Sequence, residues 1–468
     1  MKTENKLFIA SAACLAAVMT ETPAYCQSQS AKPNIIFILA DDLGYGDVGC
    51  YGQKEIKTPN IDRMASEGMR FTSHYSGSTV SAPSRCSLMT GLHTGHCLIR
   101  DNAAIALRPE DFTIPELLKE ANYTTALIGK WGLGDPGTTG TPIKQGFDYF
   151  YGYMNQGHAH NYYPSFLWRN EEKVMLSNVV SEEKESGAGI ATVQKEYTHD
   201  LFTAEALQYV DKQKDQTKPF FLYLAYTIPH ANNEMWRKSG DGMEVPDFSE
   251  YAGKDWPVVQ KKHAAMITRM DGDIGKLLVK LKSLGLDKNT IVIFTSDNGP
   301  HEEGGVNHEF NNSNGIYRGY KRDLYEGGIR VPFIAWWPGK IKAGSQSDHI
   351  SAFWDIMPTF AEMAGIKLKV PTDGISILPA LTGTGTQKTH EYLYWEFASL
   401  GGKQAIRSGN WKAVRLNVNK DKEAPIELYD INEDPSEKMN IADDNAEAPE
   451  RMIELMNDAH VDSKEFPL

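Results

Sequence analysis

The sequence predicts an α/β fold, a large and mostly parallel sheet between helices, followed by a small antiparallel sheet with a helix. Three observations carry this. Short continuous apolar runs recur along the chain, helical patterns fall between them, and beyond about residue 375 the runs shorten and follow one another directly. A run that is apolar at consecutive positions must bury both faces, which is the condition of a strand inside a parallel sheet.

The first element is a leader. Lys2 and Lys6 precede an apolar run over residues 7–19, and a stretch rich in Ser and Gln follows. This is the outline of a secretory signal peptide over residues 1–26, whose apolar part is too short to span a bilayer. Cleavage is expected near Ala24-Tyr25-Cys26; lipid attachment at Cys26 is the alternative, disfavoured by the bulky Tyr25. No later segment is long and apolar enough to span a membrane.

Residues 34–39 read NIIFIL, and residues 124–128, 220–226, 290–295 and 331–336 repeat the pattern as strands. Residues 114–121 and 258–284 are helical by periodicity. Together they predict a catalytic domain over 32–375. The PTDG and TGTGT stretches within 371–386 read as a linker. An α+β subdomain over 376–468 follows, with strands at 392–397, 404–407, 411–416 and 427–429 and a helical tail.

Of the 468 residues, 41% are hydrophobic and 23% charged, the balance of a globular protein with a sizeable core and no repeats. A net charge of −13, to which the leader contributes nothing because its two lysines and two acids cancel, argues against nucleic acid as a partner. It also means that a site for an anion must concentrate cations locally. Five cysteines, two of them (Cys14, Cys26) in the leader region, leave Cys50, Cys86 and Cys97, too few for a disulfide framework.

Polar residues follow the strand runs. Asp41 and Asp42 come after the first, Lys130 after the second, His230 after the third, and Asp297 with Asn298 after the fourth. Ligand sites in open α/β sheets form beyond the carboxyl ends of strands, so these side chains can converge on one crevice. Adjacent carboxylates repel unless a cation lies between them. Four oxygen donors without Cys or His favour Ca²⁺ over Zn²⁺, with Mg²⁺ the second choice.

Residues 81–91, SAPSRCSLMTG, resemble the signature of the formylglycine-dependent (type I) sulfatases, of the serine type. The motifs ADDLGYGDVGCYG, GKWGLG, YTIPH, SDNG and GYKRDLYEGGIRVP are similar to further segments of that family, as are GFDYFYG, EGGIRVPFIAWWPG and LYDINEDPSEKMNIA. The resemblance covers nearly the whole chain after the leader. It implies the alkaline phosphatase superfamily fold and hydrolysis of a sulfate monoester on a carbohydrate. Ser81 is then the residue that a maturase oxidises to formylglycine, and Arg85 holds the resulting diol. Asp41, Asp42, Asp297 and Asn298, with the oxygen of residue 81, hold calcium. Lys130 and Lys321 stabilise charge on the sulfate, and His230 is the general acid.

One departure stands out: where the family has histidine, this chain has Gly132. His158 and His160 are candidates to take over its contact or to bind substrate. Arg100, Asn102 and His301, with His93, His96, Glu302 and Glu303 nearby, are further candidates for the sugar, a sulfated galactose or N-acetylgalactosamine unit. Tyr162, Tyr163, Trp168 and Trp395 are possible stacking platforms. The leader, the acidic body and the resemblance together imply export across the inner membrane to the periplasm. Two alternatives remain at this stage: a phosphodiesterase or phosphonate hydrolase of the same superfamily, and a non-catalytic glycan-binding protein.

Overall fold

The structure, a computed structural model, describes Met1 and residues 32–445 and 447–468. The leader expected over 1–26 therefore lies outside the described residues, Met1 apart. Residues 32–468 form one compact unit.

Its centre is a ten-stranded sheet. Strand Asn34–Asp41 sits in the middle, parallel to Phe220–Pro229 on one side and to Thr290–Ser296 on the other. Phe220–Pro229 in turn pairs in parallel with Thr124–Lys130, and that strand with Tyr149–Tyr153. The strands farther out turn antiparallel: Phe333–Trp336 against Thr290–Ser296, and Phe166–Arg169 against Tyr149–Tyr153. The sheet is thus mixed and mostly parallel at its core, as the apolar runs require.

Strand Asn34–Asp41 shows why its run is continuous. Ile35, Phe37 and Leu39 enter one hydrophobic core, with Cys86 and Met89 of helix Ser81–Thr90; Ile36, Ile38 and Ala40 enter the other, with Met266, Ile267 and Ile274 of helix Val258–Leu284. Alternate side chains point to opposite faces of a strand, so two covered faces leave no interior position for a polar residue, and Asn34 and Asp41 stand at its two ends. All eight strand residues are buried.

The second sheet is antiparallel, Leu393–Phe397, Lys403–Ser408, Trp411–Leu416 and Ile426–Asp430 in order, with helix Ala448–Ala459 packed against it. Trp395, Ala405 and Val414 of this sheet share a core with Tyr75, Val80 and Leu324. Packing therefore continues across the division expected after residue 375, which falls between helices Ile356–Met363 and Leu378–Thr382. Among the described residues no helix is long and apolar enough to cross a membrane.

Candidate active site

The parallel register aligns the carboxyl ends of the central strands. Ala40 lies opposite Ser296 and Asp41 opposite Pro229, so Asp42, His230 and Asp297 emerge at one edge, with Lys130 closing the strand beyond. Helix Ser81–Thr90 begins at this edge and is buried along its whole length. Ser81 occupies its first turn, where free backbone N–H groups favour negative charge. Asn102 Oδ1 takes one of these donors, the N–H of Ala82, at 2.9 Å.

The side chains form one buried network. Ser81 Oγ donates to Asp41 Oδ1 at 2.9 Å, and Lys130 Nζ lies 2.6 Å from Asp41 Oδ2 and 3.4 Å from Ser81 Oγ. Lys321 Nζ holds Asp42 Oδ2 at 2.9 Å and Glu303 Oε2 at 3.0 Å, and lies 3.2 Å from His230 Nε2. His230 Nδ1 donates to the Ala231 carbonyl at 2.7 Å, which leaves Nε2 facing the Lys321 ammonium. Arg85 reaches Asp297 Oδ2 through two nitrogens, at 3.1 and 2.9 Å, and the Lys130 carbonyl at 2.8 Å.

Electrostatics follow from this packing. Burial would raise Asp41 and Asp42, but Lys130 holds Asp41 well below the usual carboxylate range, and Lys321 does the same for Asp42. Asp297 is pushed up to about 7, by burial first and then by the charge of Asp41, against the pull of Arg85. His230 is drawn down to about 3 by burial and by the neighbouring Lys321 cation. Burial pulls Lys130 down, while Asp42 and Glu303 outweigh burial at Lys321 and hold it up.

The donor set fits a hard divalent cation. Asn298 Nδ2 donates to Asp42 Oδ1 at 2.7 Å, which turns its carbonyl oxygen free, and that buried Oδ1 has no hydrogen-bond partner. Oxygen atoms of Asp41, Asp42 and Asp297 crowd the same edge, and Asp42 N–H reaches Asp297 Oδ1 at 3.1 Å. Three carboxylates with one orphaned amide oxygen are the ligand chemistry of calcium or magnesium, and a cation there relieves the repulsion that raises Asp297.

A family model described as "Sulfatase" matches residues 33–366, over this network and the sheet that carries it. The chain belongs to the sulfatase family. A second model, "N-sulphoglucosamine sulphohydrolase, C-terminal", matches residues 315–461. N-acetylgalactosamine-6-sulfatase of Mus musculus is 33% identical over 81% of this chain and 71% of its own length. N-acetylgalactosamine-6-O-sulfatase of Bacteroides thetaiotaomicron is 31% identical, covering 91% of this sulfatase and 93% of the relative. The crystal structure of Ps i-CgsB in complex with k-i-k-neocarrahexaose superposes with a TM-score of 0.76 at 32% identity, over 91% of this chain and 92% of that one. The fold is that of the alkaline phosphatase superfamily, and the chain is a sulfuric ester hydrolase.

Arg85 belongs to the network through Asp297 and the Lys130 carbonyl and lies 3.5 Å from Asp41, so beside the unmodified Ser81 it braces the acids behind the nucleophile. Other expected residues lie outside the network. His158 turns away from the crevice; it is fully buried against Tyr153 and Phe166, its Nε2 on the Phe166 carbonyl at 3.0 Å, and burial draws its pKa down to about 3. Arg100 is spent inside the molecule, on Glu396 at 2.7 Å and the Val461 carbonyl at 2.6 Å. His93 and His96 pair with Asp373, and Tyr162, Tyr163 and Trp395 are buried. A side chain that satisfies a buried partner is not free for a ligand.

His160 and His301 do reach the site. Each stacks on His230, with ring centroids 5.1 and 6.2 Å apart. His160 Nδ1 bonds Glu234 at 3.0 Å, and His301 Nε2 bonds the Pro229 carbonyl at 3.0 Å. Gly132 has φ +83°, and a Cβ there would lie 2.3 Å from Gln156 Nε2. Gly132, Gln156 and Asn102 border a cavity of about 330 Å³ beside the nucleophile, walled by Ala103, Ile105 and Asp135. Gln156 and Glu234 gave no signal in the sequence, because each acts through a partner that only the fold brings near.

Proposed function

We propose that this sulfatase removes sulfate from a glycan, through a formylglycine derived from Ser81 and with calcium held by Asp41, Asp42, Asp297, Asn298 and the oxygen of residue 81. The observation that carries the reading is the position of Ser81 Oγ, buried within 2.9 Å of Asp41 and 3.4 Å of Lys130. A plain serine there would form a sulfate ester that waits for water. Formylglycine, made when a serine-specific maturase removes two hydrogens from the hydroxymethyl group, supplies as its hydrate one hydroxyl to attack sulfur and a second to expel sulfate. Calcium at the acid cluster supplies Lewis-acid polarisation of a sulfate oxygen.

The chain's own residues do the rest. Asp41 orients the oxygen of residue 81. Lys130 and Lys321 face the charge that builds on the sulfate and the bridging oxygen as the S–O bond breaks. The leaving sugar oxygen takes its proton from the pair formed by His230 Nε2 and Lys321, which Glu303 and Asp42 hold in place. Arg85 keeps Asp297 and Asp41 apart and oriented.

The names of the mouse and Bacteroides relatives support a galactose-type unit, sulfated galactose or N-acetylgalactosamine. The cavity beside Gly132, lined by the amides of Asn102 and Gln156, by Ala103 and Ile105 and by Asp135, suits a ring substituent without negative charge. The leader read over residues 1–26 supports export to the periplasm, where such a glycan is met. A panel of matched sulfate and phosphate esters tests the reaction. Sulfate release in preference to phosphate is expected, and preference for phosphate overturns the reading in favour of a phosphoester hydrolase.

A further inference from the structure

Arg322 follows Lys321 and takes a backbone conformation that arginine avoids, with φ +79°. A side chain at positive φ is strained, and such residues persist only where the surroundings hold them. Here three contacts hold it. Its N–H donates to the Thr79 carbonyl at 3.1 Å, Lys403 Nζ donates to its own carbonyl at 2.7 Å, and its guanidinium pairs with Glu303. Glycine would satisfy the same backbone without strain, so the arginine side chain is what the turn retains.

Its exposure separates it from every other cation of the site. The side chains of Arg85, Lys130 and Lys321 are at most 2% exposed, that of Arg322 41%. Glu303 bridges the two neighbours, one oxygen on Arg322 and the other on Lys321, so the exposed guanidinium lies one carboxylate away from the Lys321–His230 pair. Within the described residues the guanidinium bonds only Glu303, through one terminal nitrogen, which leaves its other N–H groups without a protein partner. Glu303 already pairs with the guanidinium, so Arg322 meets a ligand with its charge partly balanced.

We propose that Arg322, held in place by Glu303, is the specificity residue for the leaving sugar, its guanidinium donating to a ring hydroxyl next to the scissile sulfate. The proposal rests on the glycan sulfatase reading and adds the residue that reads the sugar. A guanidinium whose charge a carboxylate already balances suits a hydroxyl oxygen, which accepts a hydrogen bond without bringing a charge.

The test uses enzyme carrying formylglycine, with galactose-6-sulfate, N-acetylgalactosamine-6-sulfate and N-acetylgalactosamine-4-sulfate as probes and inorganic sulfate as a competitive inhibitor. Arg322→Gly and Arg322→Asn, residues that tolerate this backbone, should melt no lower than wild type. They should raise KM for the preferred sugar about ten- to hundredfold, the range for one lost hydrogen bond to a charged group, with kcat little changed and the sulfate inhibition constant unmoved. An inhibition constant that rises with KM would place Arg322 at the sulfate and overturn the proposal. So would an unchanged KM. Wild-type enzyme that releases sulfate from none of the probes overturns the glycan reading and the proposal with it.

Discussion

Asp41 binds Ser81 Oγ with one carboxylate oxygen, at 2.9 Å, and Lys130 Nζ with the other, at 2.6 Å. Nucleophile and cation are thereby fixed to the same buried acid. Lys130→Ala leaves that acid with only the more distant Arg85 as a paired cation, which should cost up to about 3–5 kcal/mol in metal-free protein and lower sulfate release by roughly 10²–10³. Denaturant titrations should show calcium recovering part of the stability. Steady-state assays should show no recovery of rate.

Calcium itself should stabilise the fold. Chelator-treated protein should melt lower than protein in calcium, and calcium at about 100 times its Kd should add about 2.7 kcal/mol. Asp297→Asn should weaken this response, since the variant loses one hard anionic oxygen. Equal melting with and without calcium in wild type would remove the metal from the account.

Glu244 supplies a pH test away from the catalytic cluster. It is buried, accepts a hydrogen bond from Asn232 Nδ2 at 2.9 Å, and burial raises its pKa to about 7. The folded state therefore binds more protons than the unfolded one between the ordinary glutamate value and about 7. Stability from this group is present at low pH and lost as pH rises through that window. Glu244→Gln should flatten the pH dependence of the melting temperature between about pH 4.5 and 7.

Gly132 should resist substitution for two separable reasons. Its φ of +83° penalises any Cβ, and that Cβ meets Gln156 Nε2 at 2.3 Å. Gly132→Ala should cost about 1–2 kcal/mol from the backbone alone. Gln156→Ala in the same chain should relieve the contact and leave the backbone cost, a difference a double-mutant cycle resolves. Gly132→His should not simply restore a family contact, because the glycine conformation holds the cavity open.

What was legible followed from burial on both sheet faces. Residues 34–39 and 290–295 announced central strands because no polar residue interrupts them, and the acids just beyond marked the crevice. Direction was not legible: residues 331–336 read as a strand, and Phe333–Trp336 runs antiparallel, which an apolar run does not encode. Peripheral strands such as Glu172–Met175 are too short and polar to stand out. Long-range pairing hid most of the rest. Arg100 looked free until Glu396, far along the chain, arrived beside it. His158 read like His160, yet one ring is sealed under Phe166 and the other stacks on His230. The strain at Arg322 is a backbone angle and leaves no trace in composition.

The most direct test of the account is the mass of the Ser81 peptide from enzyme produced with a serine-type maturase, read beside its sulfate release. The account predicts that the peptide loses the mass of two hydrogen atoms, that activity scales with the converted fraction, and that Ser81→Ala has neither property. Full activity from protein whose Ser81 remains an unmodified serine would contradict it.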